Sequence, residues 1–190
     1  MPKRLFIAID PDPAAIDAIL GLISTIKREY PISGARYTSP KNLHLTLLFL
    51  GDRDERLIPG ISSRLGEICR EFSAFDLSFS KLGVFPSRRS PLIVWLGVEI
   101  PLGVTSLAQK IIHEPVFGAD PGKVQYSPHL TLARISNEDN SVSSEGLSKL
   151  FTNLGGIKTG STRIREVVLY QSVLKPGGAE YTVLSKHPLN

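Results

Sequence analysis

The four residues His44-Leu45-Thr46-Leu47 recur letter for letter as His129-Leu130-Thr131-Leu132. A chain built on such a repeat is expected to set two like strands at matching places in its fold. Successive side chains of a strand alternate faces, so each copy turns His and Thr to one side and two leucines to the other. The leucines are predicted to enter the core, and the imidazole and hydroxyl to face a cleft. Only four histidines occur in 190 residues, and two of them head this word. A similar lead-in precedes each copy, Tyr37-Thr38-Ser39-Pro40 and Tyr126-Ser127-Pro128.

The order of elements around the motifs repeats too. Leu5 to Ile9 reads as a strand that Asp10-Pro11-Asp12-Pro13 closes, with Asp12 as N-cap and Pro13 in the first turn of a helix. Ile16, Ile19, Leu20, Ile23 and Ile26 share one face of that helix. After the first motif, Leu57, Ile61, Leu65, Ile68 and Phe72 stand at helical spacing, and Leu77 to Phe85 reads as a strand. The second half gives a strand at Leu92 to Leu96, a helix marked by Val104, Leu107, Ala108, Ile111 and Ile112, and then the second motif. Leu147, Leu150, Phe151 and Leu154 mark another helix, Val167 to Tyr170 a strand, and Lys175-Pro176-Gly177-Gly178 a hairpin turn into Tyr181 to Leu184.

The histidines are 129 − 44 = 85 residues apart and the strand centres Ile7 and Val94 are 94 − 7 = 87 apart. The spacing predicts a duplicated lobe rather than a duplicated tetrapeptide. The expected fold is α+β: a single domain over 1–190 whose two pseudo-twofold lobes cover approximately 1–86 and 87–190. Each lobe is an antiparallel sheet with helices packed outside, and the cleft lies between them. Gly83 to Pro91 is read as the joining loop, and Ser136 to Gly146, the most polar stretch, as an exposed connection.

Composition is ordinary for a globular chain, 42% hydrophobic and 21% charged, and the net charge of +4 admits an anionic partner. The single cysteine, Cys69, stands among Leu65, Ile68 and Phe72 and is predicted to be core rather than nucleophile. Met1-Pro2-Lys3-Arg4 leads straight into a short strand without the apolar stretch of a signal peptide, and no run reaches membrane-spanning length. A cytoplasmic protein without a membrane partner is expected.

If a pseudo-twofold axis relates the lobes, the motif strands meet at the centre and present two imidazoles and two hydroxyls to one cavity. An ordinary histidine titrates near pH 6.5, so one imidazole can serve as base while its mate serves as acid. Threonine hydroxyls can hold the non-bridging oxygens of a phosphate and stabilise the charge that grows in the transition state. Such a pair suits phosphodiester cleavage and requires no metal. A single His-x-Thr is more often a buried strand end, but two copies at matching places favour a shared site. Gly155 to Gly160 has the spacing of a phosphate loop, yet Ser161 stands where that loop needs Lys. Neither a nucleophile elbow nor a cluster at metal-ligand spacing is present. His113 ends a helix and His187 is placed in the tail; neither carries a motif.

With these motifs the chain resembles the two-histidine phosphoesterase superfamily, and within it the LigT-like branch. The resembling stretches are Arg4 to Ile9, Leu43 to Leu47 with Phe49-Leu50-Gly51, Gly83 to Pro86 before Val94 to Gly97, and Ser127 to Arg134. The resemblance implies an RNA 2′,3′-cyclic phosphodiesterase that opens a terminal cyclic phosphate to a 2′-phosphomonoester without metal or cofactor. It also implies the reverse 2′-5′ joining of RNA ends such as tRNA halves. Carried onto this chain, it makes His44 the proton donor, His129 the proton acceptor, and Thr46 and Thr131 the phosphate ligands. The residues themselves leave the division between the two histidines open, because the motifs are identical.

Arg134 is a candidate for a phosphate or base, although strict alternation from Thr131 turns it to the opposite face unless the strand bends. Tyr37 and Tyr126 are candidates for base stacking or for half-buried packing. Arg88, Arg89, Lys158, Arg163 and Arg165 could steer RNA by charge, and each alone is more often a surface charge. Expected partners are RNA ends or nucleotides with a 2′,3′-cyclic phosphate, and a monomer suffices because the duplication already supplies a two-part site. The alternatives are a nucleotide- or RNA-end-binding module with little turnover, and a purely structural duplicated domain.

Overall fold

The computed structural model describes residues 1–85, 92–99, 102–135, 144–176 and 178–190. In chain order the elements are β1 (Pro2–Ile9), α1 (Pro13–Glu29), β2 (Ala35–Tyr37), β3 (Leu45–Asp54), α2 (Ile58–Cys69), β4 (Phe75–Phe85) and β5 (Leu92–Glu99). They continue with α3 (Leu102–Ile112), β6 (His129–Ile135), α4 (Ser144–Leu154), β7 (Lys158–Ile164), β8 (Glu166–Lys175) and β9 (Gly178–Pro188). The start of α1 follows the sequence rule closely. Asp12 is the N-cap, its carboxylate accepts from the Ala15 N–H at 2.9 Å, and Pro13 occupies the first turn.

One sheet runs in the order β7-β4-β5-β6-β3-β1-β8-β9, with β2 beside β6, and its ladders are antiparallel. The two motif strands, β3 and β6, are neighbours at its middle. On one side of them lie β1, β8 and β9, and on the other β5, β4 and β7. Each four-stranded arm draws on both halves of the chain. β4 joins the arm of the second motif, and β8 and β9, from the last part of the chain, complete the arm of the first.

Alternation sorts the two faces. Leu5, Ile7 and Ile9 of β1 enter the main core with Ile19, Ile23 and Ile26 of α1, Leu65 of α2 and Leu107 of α3. Phe6 and Ala8 turn to the other face, where they join Val168, Tyr170 and Tyr181 in a smaller cluster. That second face is the one to which the His and Thr side chains of the two motifs turn. Leu45 and Leu130 are fully buried on the core side, and truncating either to Ala would cost about 2–5 kcal/mol. The leucines thus anchor the motif strands as expected.

Three elements differ from the sequence reading. β7 is a polar edge strand, Lys158-Thr159-Gly160-Ser161-Thr162-Arg163-Ile164, in which only Thr162 and Ile164 are buried. It forms by pairing with β4, not by its own apolar pattern. His187, expected in the tail, lies in β9, where it is buried and shares a hydrogen bond of 2.9 Å with Ser185, itself bonded to Ser62 of α2. Helix α4 begins at Ser144, inside the stretch expected to be a connection, while 136–143 lie outside the described residues. Among the described residues no helix is long and apolar enough to cross a membrane.

Candidate active site

The motif strands touch through one antiparallel bridge, Leu45 opposite Leu130. Directly paired residues point to the same side, so continuing the register by one residue sets His44 across from Thr131 and Thr46 across from His129. Two imidazoles and two hydroxyls therefore share one face at the centre of the sheet. Neither threonine hydroxyl is bonded to another protein group among the described residues, so both remain available to a ligand.

Both imidazoles are held in the same way. Nδ1–H of His44 donates to the Asn42 carbonyl at 2.8 Å, and Nδ1–H of His129 donates to the Ser127 carbonyl at 2.6 Å. A carbonyl oxygen can only accept, so Nδ1 carries the proton and Nε2 is left for chemistry in each ring. Burial pushes the pKa of His44 down to about 4, and the positive charges of Arg134 and His129 push the same way against the Asn42 bond. His129 is lowered as well, by burial first and then by Arg134, against the Ser127 bond. With both pKa values lowered, both rings are neutral near pH 7.

Identical motifs have unlike neighbours. Phe6 lies 5.0 Å from His44 between ring centroids, Tyr181 meets it edge-on at 5.2 Å, and Tyr170 is 6.4 Å away. Tyr170 stacks on Phe6 at 5.0 Å, and its hydroxyl donates to Asp10 at 2.6 Å. This bond lies in the wall of an adjoining cavity of about 510 Å³ that includes Lys41, Arg165 and Lys186 but neither motif imidazole. Around His129 the rings are Phe85 at 4.8 Å, edge-on, and Trp95 at 6.5 Å. Trp95 lies across Gly83, where a Cβ would stand 2.0 Å from the indole.

A bulge in each motif strand completes the cleft. The register of β1 with β3 passes from Ile7↔Leu48 to Ala8↔Thr46, skipping Leu47. That of β5 with β6 passes from Val94↔Ala133 to Trp95↔Thr131, skipping Leu132. An extra residue reverses alternation beyond it. Leu47 with Leu48, and Leu132 with Ala133, are accordingly buried in succession, and Phe49 and Arg134 emerge on the cleft face. This is the bend that Arg134 needed, and its effect on both imidazoles agrees with that placement. Phe49, 68% exposed, is its counterpart at the same 85-residue offset, 134 − 49 = 85.

The family profile of LigT like phosphoesterases matches residues 9–95. An RNA 2′,3′-cyclic phosphodiesterase of Methanothermobacter thermautotrophicus is 34% identical over 183 residues, covering 96% of this chain and 96% of the relative. The chain belongs to the LigT-like phosphoesterase family. An RNA 2′,3′-cyclic phosphodiesterase of Archaeoglobus fulgidus is 32% identical over 179 residues, 94% of this chain and 96% of the relative. The crystal structure of E. coli LigT in its apo form, 28% identical, matches with a TM-score of 0.73 over 100% of this chain and 98% of that one. E. coli LigT complexed with 3′-AMP, 26% identical, gives 0.74 over 100% and 99%.

Within this LigT-like sheet the remaining candidates separate. Tyr37 and Tyr126 pack against the main core with buried hydroxyls that have no partner among the described residues, and Lys27 sits 4.8 Å over the Tyr37 ring. Lys158 pairs with Glu99 at 3.3 Å and Arg163 with Asp76 at 2.9 Å. Arg88 and Arg89 lie outside the described residues. Sequence reasoning missed Phe6, Phe49, Tyr170, Tyr181, Phe85 and Trp95 as site neighbours. Phe49 alone had a signal, the repeat offset from Arg134; the others arrive through pairing between distant strands. Among the described residues no group of three or more His, Cys, Asp or Glu gathers at metal-binding range.

Proposed function

We propose that this LigT-like protein hydrolyses a terminal RNA 2′,3′-cyclic phosphate to a 2′-phosphomonoester, within one domain whose two arms descend from a duplicated lobe. The observation that supports this most directly is the central quartet, two Nε2 atoms and two threonine hydroxyls facing one space across the Leu45–Leu130 bridge. Thr46 and Thr131 donate to the non-bridging oxygens of the cyclic phosphate. Nε2 of His129 takes a proton from water, and the water oxygen forms a bond to phosphorus. The bond from phosphorus to O3′ breaks, and O3′ takes the proton carried on Nε2 of His44. Water or a neighbouring acid then returns the two rings to their starting states.

The environments suit these roles. The phosphate's negative charge favours a proton on one imidazole when substrate binds. A group whose surroundings push its pKa toward 4, as His44's do, releases that proton readily once charge develops on the leaving oxygen. Phe49 offers an exposed ring on which a nucleobase stacks. With the 5′-hydroxyl of a second RNA end attacking phosphorus in place of water, the same displacement of O3′ joins the two ends through a 2′-5′ linkage, with tRNA halves as one source of such ends. No cofactor takes part in these steps, and one chain holds the whole quartet.

The test is turnover of a 2′,3′-cyclic nucleotide by the wild type and by His44→Ala and His129→Ala, with the product identified as the 2′- or 3′-phosphate. Each substitution is expected to lower kcat by at least about 10²-fold. Full activity in either variant would overturn the paired mechanism, and a wild type that binds the nucleotide without cutting it would make the protein an RNA-end-binding module.

A further inference from the structure

The track of polar groups on the cleft face does not stop at the quartet. β2 lies beside β6 on the same edge as β3, with Tyr37 opposite Ala133, Arg36 opposite Arg134 and Ala35 opposite Ile135. Directly paired residues share a face. Tyr37 and Ala133 turn to the core, so Arg36 and Arg134 turn together to the cleft. Along β6 the order is then Thr46 with His129, His44 with Thr131, and Arg36 with Arg134.

Both arginines are exposed, and neither makes an ion pair or hydrogen bond to a described residue. Like charges directly opposite on neighbouring strands repel. No carboxylate of a described residue relieves this pair, and an anion between the two would. Arg134 lies on the motif strand β6 and acts on both imidazoles, whereas Arg36 stands across from it on β2, a strand that carries no member of the quartet. At about 3.3 Å per residue, and allowing for the bulge, the arginine pair lies roughly 7–10 Å beyond Thr131 along the strand. That is the next position along an extended nucleic-acid chain, which carries one negative charge for every nucleotide.

We propose that Arg36 and Arg134 form a second anion subsite that takes the phosphodiester adjoining the cyclic phosphate, so that the substrate is an RNA end rather than a free mononucleotide. Two guanidinium forks can hold the non-bridging oxygens of one phosphate, giving orientation as well as charge. The subsite reads backbone and not base, so it positions any sequence alike. The inference rests on the phosphodiesterase reading above.

Arg36 tests it, because it lies outside the quartet. kcat/KM is measured for a 2′,3′-cyclic mononucleotide and for a trinucleotide ending in the same cyclic nucleotide, with the wild type, Arg36→Gln and Arg36→Lys. Arg36→Gln should lower kcat/KM for the trinucleotide about tenfold, mainly through KM, and reduce the salt dependence by about 0.7 in log–log slope. Turnover of the mononucleotide should be unchanged, and Arg36→Lys should recover part of the loss. An equal fall on both substrates, or no fall on the trinucleotide, overturns the subsite. Fluorescence anisotropy of a labelled trinucleotide bearing a terminal 2′-phosphate gives the same comparison without turnover. A wild type inactive on both substrates would therefore sink the phosphodiesterase reading, while the change in Kd would still decide the subsite.

Discussion

His44 should make folding stability depend on pH in a way that a single substitution removes. In the folded protein its pKa is pushed from 6.5 to about 4 by burial first, then by the nearby positive charges. Between those two values the unfolded chain binds a proton that the folded site refuses. Stability therefore falls as pH drops from 6.5 toward 4 and levels off once the folded ring protonates too. The shift is 6.5 − 4 = 2.5 units, which at about 1.36 kcal/mol per unit amounts to about 3 kcal/mol. Against a typical total of about 5–15 kcal/mol that is a large share. Urea unfolding at pH 7, 6, 5 and 4 measures it, with His44→Gln as reference. The lowered pKa values of His129 and His187 and the raised value of Asp10 contribute to both proteins, so the difference between the two curves isolates His44. The wild type should lose about 3 kcal/mol more than the variant over that range. A flat difference curve, or an NMR titration of His44 with its midpoint at 6.5, would refute the reasoning, since both follow only if the ring is solvated.

Replacing Phe49 by Ala should raise KM for a cyclic nucleotide about tenfold, within the range of about 1–3 kcal/mol that base stacking contributes. The melting temperature should hardly move, because the ring is 68% exposed; an unchanged KM would remove Phe49 as the base platform. Gly83→Ala sets a methyl 2.0 Å from the Trp95 indole and should destabilise by about 1–3 kcal/mol. It should also lower kcat, since that indole packs beside His129. Trp95 is the chain's one tryptophan, so its fluorescence reports the displacement directly, and an unshifted spectrum with wild-type stability would contradict the packing.

The parts of this fold that could be read from the sequence are those whose signal is local. Helix α1 announced itself through Asp12, Pro13 and an isoleucine stripe, and the motif strands through alternation. Even the bulges left a trace, since Leu47-Leu48 and Leu132-Ala133 each set two apolar residues in succession where alternation asks for one. β7 left none, because its strand character comes from the partner β4, and Thr162 is buried by tertiary packing alone. His187 looked like tail because the pairing that buries it, with Val167, spans 187 − 167 = 20 residues. The rings around His44 were illegible for the same reason at longer range: Tyr170 and Tyr181 reach it from β8 and β9, more than a hundred residues along the chain.

That long-range assembly is where the two motifs part company. At the 87-residue offset, Ala8 on β1 corresponds to Trp95 on β5, and their partners across the ladder are Val168 and Gly83. A small–medium pair in one arm faces a very large–absent pair in the other. Phe6 and Ile93 correspond likewise, and their partners are Tyr170 and Phe85. Tyr170 carries the hydroxyl that binds Asp10; Phe85 has none, and Gly97 stands where Asp10 would have its counterpart. The immediate hold on each imidazole is the same, a backbone carbonyl two residues upstream. What differs is everything one layer out, and proton affinity is set there, because burial is the largest cause of the shift in both rings. An acid and a base can thus be made from one repeated word without altering a letter of it, provided that the strands supplying their surroundings come from different parts of the chain.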